Sequence, residues 1–507
     1  MNEYLNYINN QEALQVVDIA IETETGQHNE NQIRGDRARP LDVHRWSDYP
    51  ELNACLNDII SELKAHEQRL RQRNEKAEKK FRAAVRCLTL DLYVAWKSDP
   101  TLLIAVARGK SHFSKRTRYS ALYISYDEFI QAFNGLRDLG YLEIVYEGFN
   151  DRQSEVSKTT RVRATQKLIN TLTYKGSLTI ANIRRSPPNE PHEIIIIKDN
   201  NKQMIDYNDT VITTKMRNDL NIINKNLLSN WIDIYLSDIE LIELQRRISA
   251  RTSDSDNNSH IIDLTRIELH RVFNNSSWDE GGRFYGGWWQ TIPSEMRKFI
   301  TINEKDTVEL DYSGMHVKML YAEVGEELTG DAYEIPNLVA PRPLIKRTFN
   351  KLINASGQIR VDSEFDADKI GMTWADFIDC IIKHHKPIDK FIKSGHGVKL
   401  QKMDSDIANS VMLRFNSMNY ACLPIHDSFI VIESLADELE DIMVEEFSNL
   451  INKDIDIKAK DIIEHVPHSN NAIDMRMALR ESLGLEGDYK GYYQRHSEWH
   501  TRKYRGA

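Results

Sequence analysis

The sequence predicts an α+β protein: a mostly helical, charge-rich N-terminal region, then a domain of antiparallel strands interleaved with helices. Three observations lead there. Residues from about Leu52 to Lys97 carry the period of helices, first amphipathic and then strongly charged. The short apolar runs Thr307–Leu310, Cys422–Ile425 and Phe429–Ile432 read as buried strands, the last two as a hairpin. Helical patterns at Ser313–Glu323 and Arg342–Asn354 fall between them.

A chain of 507 residues has room for about two to four domains. Hydrophobic residues at 41% and charged residues at 28% are ordinary for a globular protein and argue against wholesale disorder. No stretch approaches the roughly 20 apolar residues that span a bilayer. The opening MNEYLNYINNQEALQ has no apolar signal core, so a cytoplasmic location is expected. Cys55, Cys87, Cys380 and Cys422 lie far apart without zinc-type spacing and suit packing in a reducing compartment. The net charge of −10 alone would argue against a nucleic-acid partner. Phosphate contact needs only a local basic surface, however, and residues 64–118 concentrate Lys and Arg. Glu67, Glu75 and Glu78 in the same stretch leave open an ordinary solvated helix face.

Residues 1–50 read as a loosely ordered arm, and 51–185 as a helical, nucleic-acid-binding region. Within it, Ser125 and Glu128 form a capping-box pattern before a helix with Phe129, Phe133 and Leu136, and Gly140 is its stop. Tyr141–Tyr146 and Thr160–Ala164 then read as two strands around a turn at Gly148–Asp151. Helix plus hairpin is the outline of a winged helix, with Arg161, Arg163 and Lys167 on or beside the wing; packing against protein is the competing role. Residues 186–229 read as a connector with one strand at Ile194–Ile197, and Thr252–Ser259 as a loop. The catalytic domain is expected at 230–465, and 466–507 as a polar tail, helical or unstructured. There are no internal repeats.

The chemistry gathers in the second half. Asp311 ends a strand just before a helix, and Asp427 sits at the tip of the 422–432 hairpin, in His426-Asp427-Ser428. Either alone is as readily a helix cap or a turn residue. Together in a cleft they would repel unless cations sat between them, and oxygen ligands of this kind suit Mg²⁺ shared with substrate phosphates. Between them, Arg342, Lys346, Asn350 and Asn354 are spaced by four and share one helix face. Pro343 fits the first helical position, leaving Arg342 near amides that favour phosphate.

In this order Asp311-Tyr312-Ser313, the Arg342/Lys346 helix and His426-Asp427 resemble motifs A, B and C of family A DNA polymerases and the related single-subunit phage RNA polymerases. Gly282-Arg283-Phe284-Tyr285 with Gln290-Thr291-Ile292-Pro293 resembles the Gly-Arg…Gln-Asn-Ile-Pro segment upstream of motif A. The resemblance covers about residues 265–450 and includes no proofreading exonuclease domain. It implies a palm of antiparallel strands with helical fingers. It implies that Asp311, Asp427 and the Tyr312 carbonyl hold two Mg²⁺, with Mn²⁺ as a substitute, and that Arg342, Lys346 and Arg347 hold a nucleoside triphosphate. Lys346 counts with the two aspartates as catalytic. Asn350, Asn354 and His316 would meet the nucleotide, and Arg283, Tyr285, Gln290, Gln401 and His426 a DNA or RNA template–primer.

Four positions depart from the DNA enzymes of the family. His316 stands where the DNA enzymes carry glutamate, Asn354 and Ala355 where an aromatic and a glycine are usual, and Ser428 follows Asp427 as in the RNA enzymes. His316 against a ribose 2′-hydroxyl would favour deoxynucleotides, whereas Asn354 hydrogen-bonded to it would favour ribonucleotides. The sequence therefore points first to a DNA polymerase without proofreading, then to a primase or RNA polymerase on the same scaffold. A replication initiator or DNA-binding protein with an inactive palm is a third reading.

Overall fold

The protein is described by a computed structural model covering residues 38–67, 69, 71–114, 116–151, 156–187, 191–250, 261–460 and 489–504. The first 37 residues of the expected arm, the loop Thr252–Ser259 and residues 466–488 of the tail lie outside the described residues. The chain divides into two units, the first ending at residue 191 but including 249–263, the second holding the remainder and residues 117–119.

The first unit runs β1 (Ala38–Pro40), α1 (Pro50–His66), α2 (Glu75–Ser98), β2 (Leu103–Val106), α3 (Lys110–Ser114), α4 (Tyr126–Asp138), β3 (Leu142–Tyr146) and β4 (Thr160–Ala164). Helix α2 starts where the Asn74 side chain accepts from the Ala77 amide, and from Cys87 to Ala95 every residue is buried. A helix apolar on all sides belongs in the middle of a core. Its one charged residue in that stretch, Asp91, is fully buried and held by two arginines. Arg39 grips it with two nitrogens at 2.6 and 2.7 Å, and Arg45 Nε donates at 3.1 Å. The Asp42 amide adds a fourth donor at 2.9 Å.

Arg39 and Arg45 fall in the segment expected as a loose arm. Residues 38–50 instead contribute β1, parallel to β2, and two buried cations, because Asp91 supplies a partner no local pattern announces. The sheet order is β1-β2-β4-β3. Helix α4 begins after Ser125 as expected, but the capping box is not made: the Ser125 hydroxyl bonds the Glu128 carboxylate instead of a backbone amide. Gly140 ends the helix in a left-handed conformation, φ 71°. The cations of this unit are largely answered at home: Arg82 and Lys64 by Glu78, Lys79 by Glu75, Arg163 by Glu143, Lys167 by Glu62.

The second unit opens with β5 (Ile195–Ile197) and α5 (Val211–Ser229). A 19-residue helix thus forms the C-terminal part of the expected connector, started by a reciprocal Thr210–Thr213 capping box. Then come β6 (Ile232–Ile234), β7 (His270–Phe273), β8 (Gly281–Tyr285), β9 (Ile300–Ile302) and β10 (Lys305–Tyr312). After them follow α6 (Met315–Glu323), α7 (Arg342–Asn354), α8 (Gly397–Ser417), β11 (Leu423–Ile425), β12 (Ser428–Ile432), α9 (Ala436–Ile451), β13 (Ile457–Lys460) and α10 (Lys490–Tyr504).

Six strands form an antiparallel sheet in the order β6-β9-β10-β12-β11, with β13 also on β10. A smaller sheet has the order β8-β7-β5. The end of the expected tail is helix α10, bound into this unit: Tyr492 is buried against Trp231 and its hydroxyl lies 3.2 Å from that of Thr301. Arg495 reaches Asp233 of β6 with two nitrogens at 2.8 and 2.9 Å. Among the described residues no helix is long and apolar enough to cross a membrane.

Candidate active site

The register of the large sheet brings the two aspartates together. Asp311 lies opposite Ser428 of β12 on one side and Lys458 of β13 on the other. Strands β11 and β12 are joined by a two-residue turn, His426-Asp427, with Ile425 paired to Ser428. Asp427 is therefore the residue next to the cross-strand neighbour of Asp311, and the Tyr312 amide donates to its carbonyl at 3.4 Å. Both aspartates are half-buried.

Alternation along β10 sorts its carboxylates. Glu309 shares the Asp311 face but is buried, gripped by Arg297 at 2.7 and 2.9 Å and by the Ser428 hydroxyl at 2.7 Å. Tyr312 points the other way and donates to the Met443 carbonyl at 2.7 Å. In contrast to Glu309, the carboxylate of Asp427 has no hydrogen-bond or ion-pair partner among the described residues. Its neighbour His426 holds a left-handed backbone, φ 57°, and its buried Nδ1 has no partner. Burial, with the Arg283 charge, pushes this imidazole below the usual histidine range. The Tyr285 ring stands edge-on to it, centroids 5.5 Å apart.

Arg283 and His316 are brought together by a residue not singled out in the sequence. Asp404 of α8, fully buried, accepts from Arg283 Nε at 3.1 Å and meets His316 Nε2 at 2.7 Å. Burial would raise this carboxyl, but the His316 hydrogen bond and the Arg283 charge outweigh it and hold it below the carboxylate range. Beside it Arg271 ties β7 to α8, donating to the Gly282 carbonyl at 2.7 Å and the Ser405 hydroxyl at 2.9 Å. Gly282 permits this approach: its φ is 80°, and a Cβ there would meet Phe273 at 2.8 Å. A signal for Asp404 existed, since it replaces an apolar residue in the stripe Leu400, Ile407, Val411 of one helix. A carboxylate on a core face needs a buried partner.

Helix α7 sorts its polar residues onto different faces. Arg342 and Lys346 both lie over the ring of Tyr333, at 5.1 and 6.0 Å, and Arg342 is held by Asp331 at 2.5 and 3.0 Å. Lys346 has no carboxylate partner among the described residues. Burial first, then the charges of Asp331 and Asp427 against the pull of Arg342, pushes the Tyr333 phenol up to about 12. That phenol thus senses both the helix face and the Asp427 turn.

Arg347 does not share this face. It pairs with Glu364 at 2.6 Å and Asp362 at 3.4 Å, beside Lys351 on Asp362 at 2.6 Å, because one residue advances the helix by about 100°. Asn354 turns its amide onto the Asn350 carbonyl at 2.8 Å, and a Cβ at Gly397 would lie 2.1 Å from its Oδ1, so it packs at the joint of α7 and α8. Gln290 spends its amide on backbone, donating to the Phe284 carbonyl at 3.0 Å and Pro424 at 3.1 Å and accepting from Gly286. Gln401 is half-buried, three residues before Asp404 on the same helix, and Asn350 is half-buried on α7. Besides Asp404, the sequence reading passed over Tyr333, Asp331 and Lys458; only the fold brings these to the cleft.

The register sets the carboxylate-bearing residues Asp311 and Asp427 one position apart across β10 and the β11–β12 turn, and Asp427 has no ion pair among the described residues; oxygen donors of this kind suit a hard divalent ion. No protein-family model matches the chain, and no curated protein matches its sequence. Among solved structures, the POL domain of Pol1 from M. smegmatis, in complex with DNA primer-template and dNTP, matches 84% of this chain and 67% of that chain, at 10% identity and a TM-score of 0.28. A likeness at that level carries no functional inference.

Proposed function

We propose that the chain is a template-directed nucleotidyltransferase, read more narrowly as a family A-like DNA polymerase without a proofreading exonuclease. One observation carries the reading. In a site where Glu309, Asp404, Arg283, Arg342 and Arg347 are all paired, the Asp427 carboxylate and the Lys346 ammonium make no ion pair among the described residues, although Lys346 lies over the Tyr333 ring and the Asp427 charge acts on the same phenol. A metal-bound triphosphate brings the two missing charges together, an anion for Lys346 and a cation for Asp427.

Asp311, Asp427 and the Tyr312 carbonyl would hold two Mg²⁺, which when bound activate the attacking 3′-hydroxyl and neutralise the leaving pyrophosphate. Lys346 binds the triphosphate directly. Arg342 joins it by exchanging Asp331 for phosphate, and positioning by these two cations supplies much of the rate. His316, locked by Asp404, presses on the sugar edge and favours deoxynucleotides. Arg283, Tyr285, His426 and Gln401 face the primer end and template, while Gln290 braces the backbone beneath them. The first unit is read as winged-helix-like on the succession α4, β3, β4. With its cations mostly answered by neighbouring acids, phosphate contact is assigned to the second unit.

Primer extension with separate nucleotide pools tests this. Deoxynucleotide incorporation on an annealed primer supports it, and unprimed ribonucleotide synthesis replaces it by a primase. Stable template binding with no incorporation under Mg²⁺ or Mn²⁺ rejects enzymatic activity. His316→Ala should relax sugar selection; an unchanged ribo/deoxy ratio removes it as the gate.

A further inference from the structure

A second cluster lies outside the aspartate cleft, on the same unit. The β9–β10 hairpin turns through Asn303 and Glu304, both left-handed, with φ of 50° and 67°. Helix α10 crosses this turn and carries two histidines spaced by four, His496 and His500, which lie on one face with ring centroids 4.3 Å apart. One ligand atom from each of Glu304, His496 and His500 lies within 4.8 Å of the others. Nε2 of His496 is shielded from solvent and makes no hydrogen bond, although a Glu304 oxygen approaches to 2.6 Å. A shielded ring nitrogen that meets a carboxylate without hydrogen-bond geometry, beside a second imidazole, is a donor set a divalent cation would satisfy.

We propose that Glu304, His496 and His500 form a binding site for a zinc-class transition metal that fastens helix α10 to the β9–β10 hairpin. Two imidazoles and one carboxylate are a donor set for zinc, with the fourth position left to water. Donor atoms around tetrahedral zinc sit roughly 3.3 Å apart for bonds of about 2.0–2.1 Å, within reach of small side-chain rotations from the spacing observed. The oxygen-only pair Asp311 and Asp427 prefers a harder ion, so the two sites separate by chemistry. The helix is already seated by Arg495 on Asp233 and by buried Tyr492, so the site is largely formed before an ion arrives. This proposal does not depend on the polymerase reading.

The test uses the full chain, stripped with a chelator and titrated first with Zn²⁺ and then with Co²⁺, whose visible bands report nitrogen ligation. Expected is one ion per chain, a rise in Tm with Zn²⁺, and affinity weakened by more than about tenfold in His496→Ala, His500→Ala and Glu304→Gln. Asp311→Asn should keep the Co²⁺ spectrum and the stoichiometry. No saturable Zn²⁺ binding by the parent chain would overturn the site. So would a spectrum that survives in His500→Ala but vanishes in Asp311→Asn.

Discussion

The first unit and the cleft of the second both place aspartates among arginines, yet they use them in opposite ways. Asp91 is saturated: two guanidinium groups and a backbone amide surround it at the centre of a helix with no exposure. Asp404 is nearly so, shared between Arg283 and His316. Asp427, half-buried at a hairpin tip, has neither cation nor donor among the described residues. A buried charge with every lone pair answered is architecture, and its loss strands its partners. On the reading proposed above, a carboxylate left unanswered beside a second one is what a bound cation would answer, and pairing, more than charge or burial, would separate scaffold from chemistry.

The largest expected effect breaks that contrast at its functional end. Asp427→Asn should lower nucleotide incorporation by at least about 10²–10³-fold while template binding and Tm stay put, since the change removes no internal partner. A retained turnover rate would return Asp427 to the scaffold class. Asp91→Ala is the mirror case. Denaturant titration should show a loss of about 3–5 kcal/mol, with normal activity per folded molecule, because buried Arg39 loses its only carboxylate partner among the described residues while Arg45 keeps Asp263 and Asp42.

Asp404→Asn stands between the two, costing about 1–3 kcal/mol and also freeing Arg283 and His316, with relaxed sugar selection as the functional trace. Its pH signature has a definite sign. The folded carboxyl lies below the unfolded value near about 4, so its contribution is full above that pH and fades as pH falls through the folded value. The stability gap between parent and variant should therefore be constant at neutral pH and close in acid; a gap independent of acid would refute the linkage.

Lys346→Gln should lower kcat/KM for the incoming nucleotide by about ten- to hundredfold, mainly through KM if Lys346 binds ground and transition states alike, without touching Tm. Arg347→Gln, one residue on, should change neither measurably, since its guanidinium faces Glu364 and Asp362.

The same contrast explains what could be read in advance. Strands β10, β11 and β12, the face shared by Arg342 and Lys346, and the positions of Asp311 and Asp427 were legible because each is a local pattern of spacing or alternation. Helix α5 reads as a connector in the sequence because its Asn-rich run from Val211 to Ser229 masks a buried stripe at Met216, Leu220, Ile223 and Leu227. Helix α10 looked like a polar tail because its anchors, Trp231, Asp233 and Thr301, lie more than 190 residues earlier. Arg39, Arg45 and Asp404 are opaque for one reason: a charge reveals its role only through a partner, and Asp91, Asp263, Arg283 and His316 come from distant segments.

The turn at His426-Asp427 has no slack. Two residues connect paired neighbours Ile425 and Ser428, and a slip of β12 by one position would exchange its two faces. Every residue from Ser428 to Ile432 is buried, and Ser428 also braces Glu309, so neither face can take the other's side chains. A longer tip would keep that register only as a wider loop, which would carry Asp427 away from its place beside the partner of Asp311.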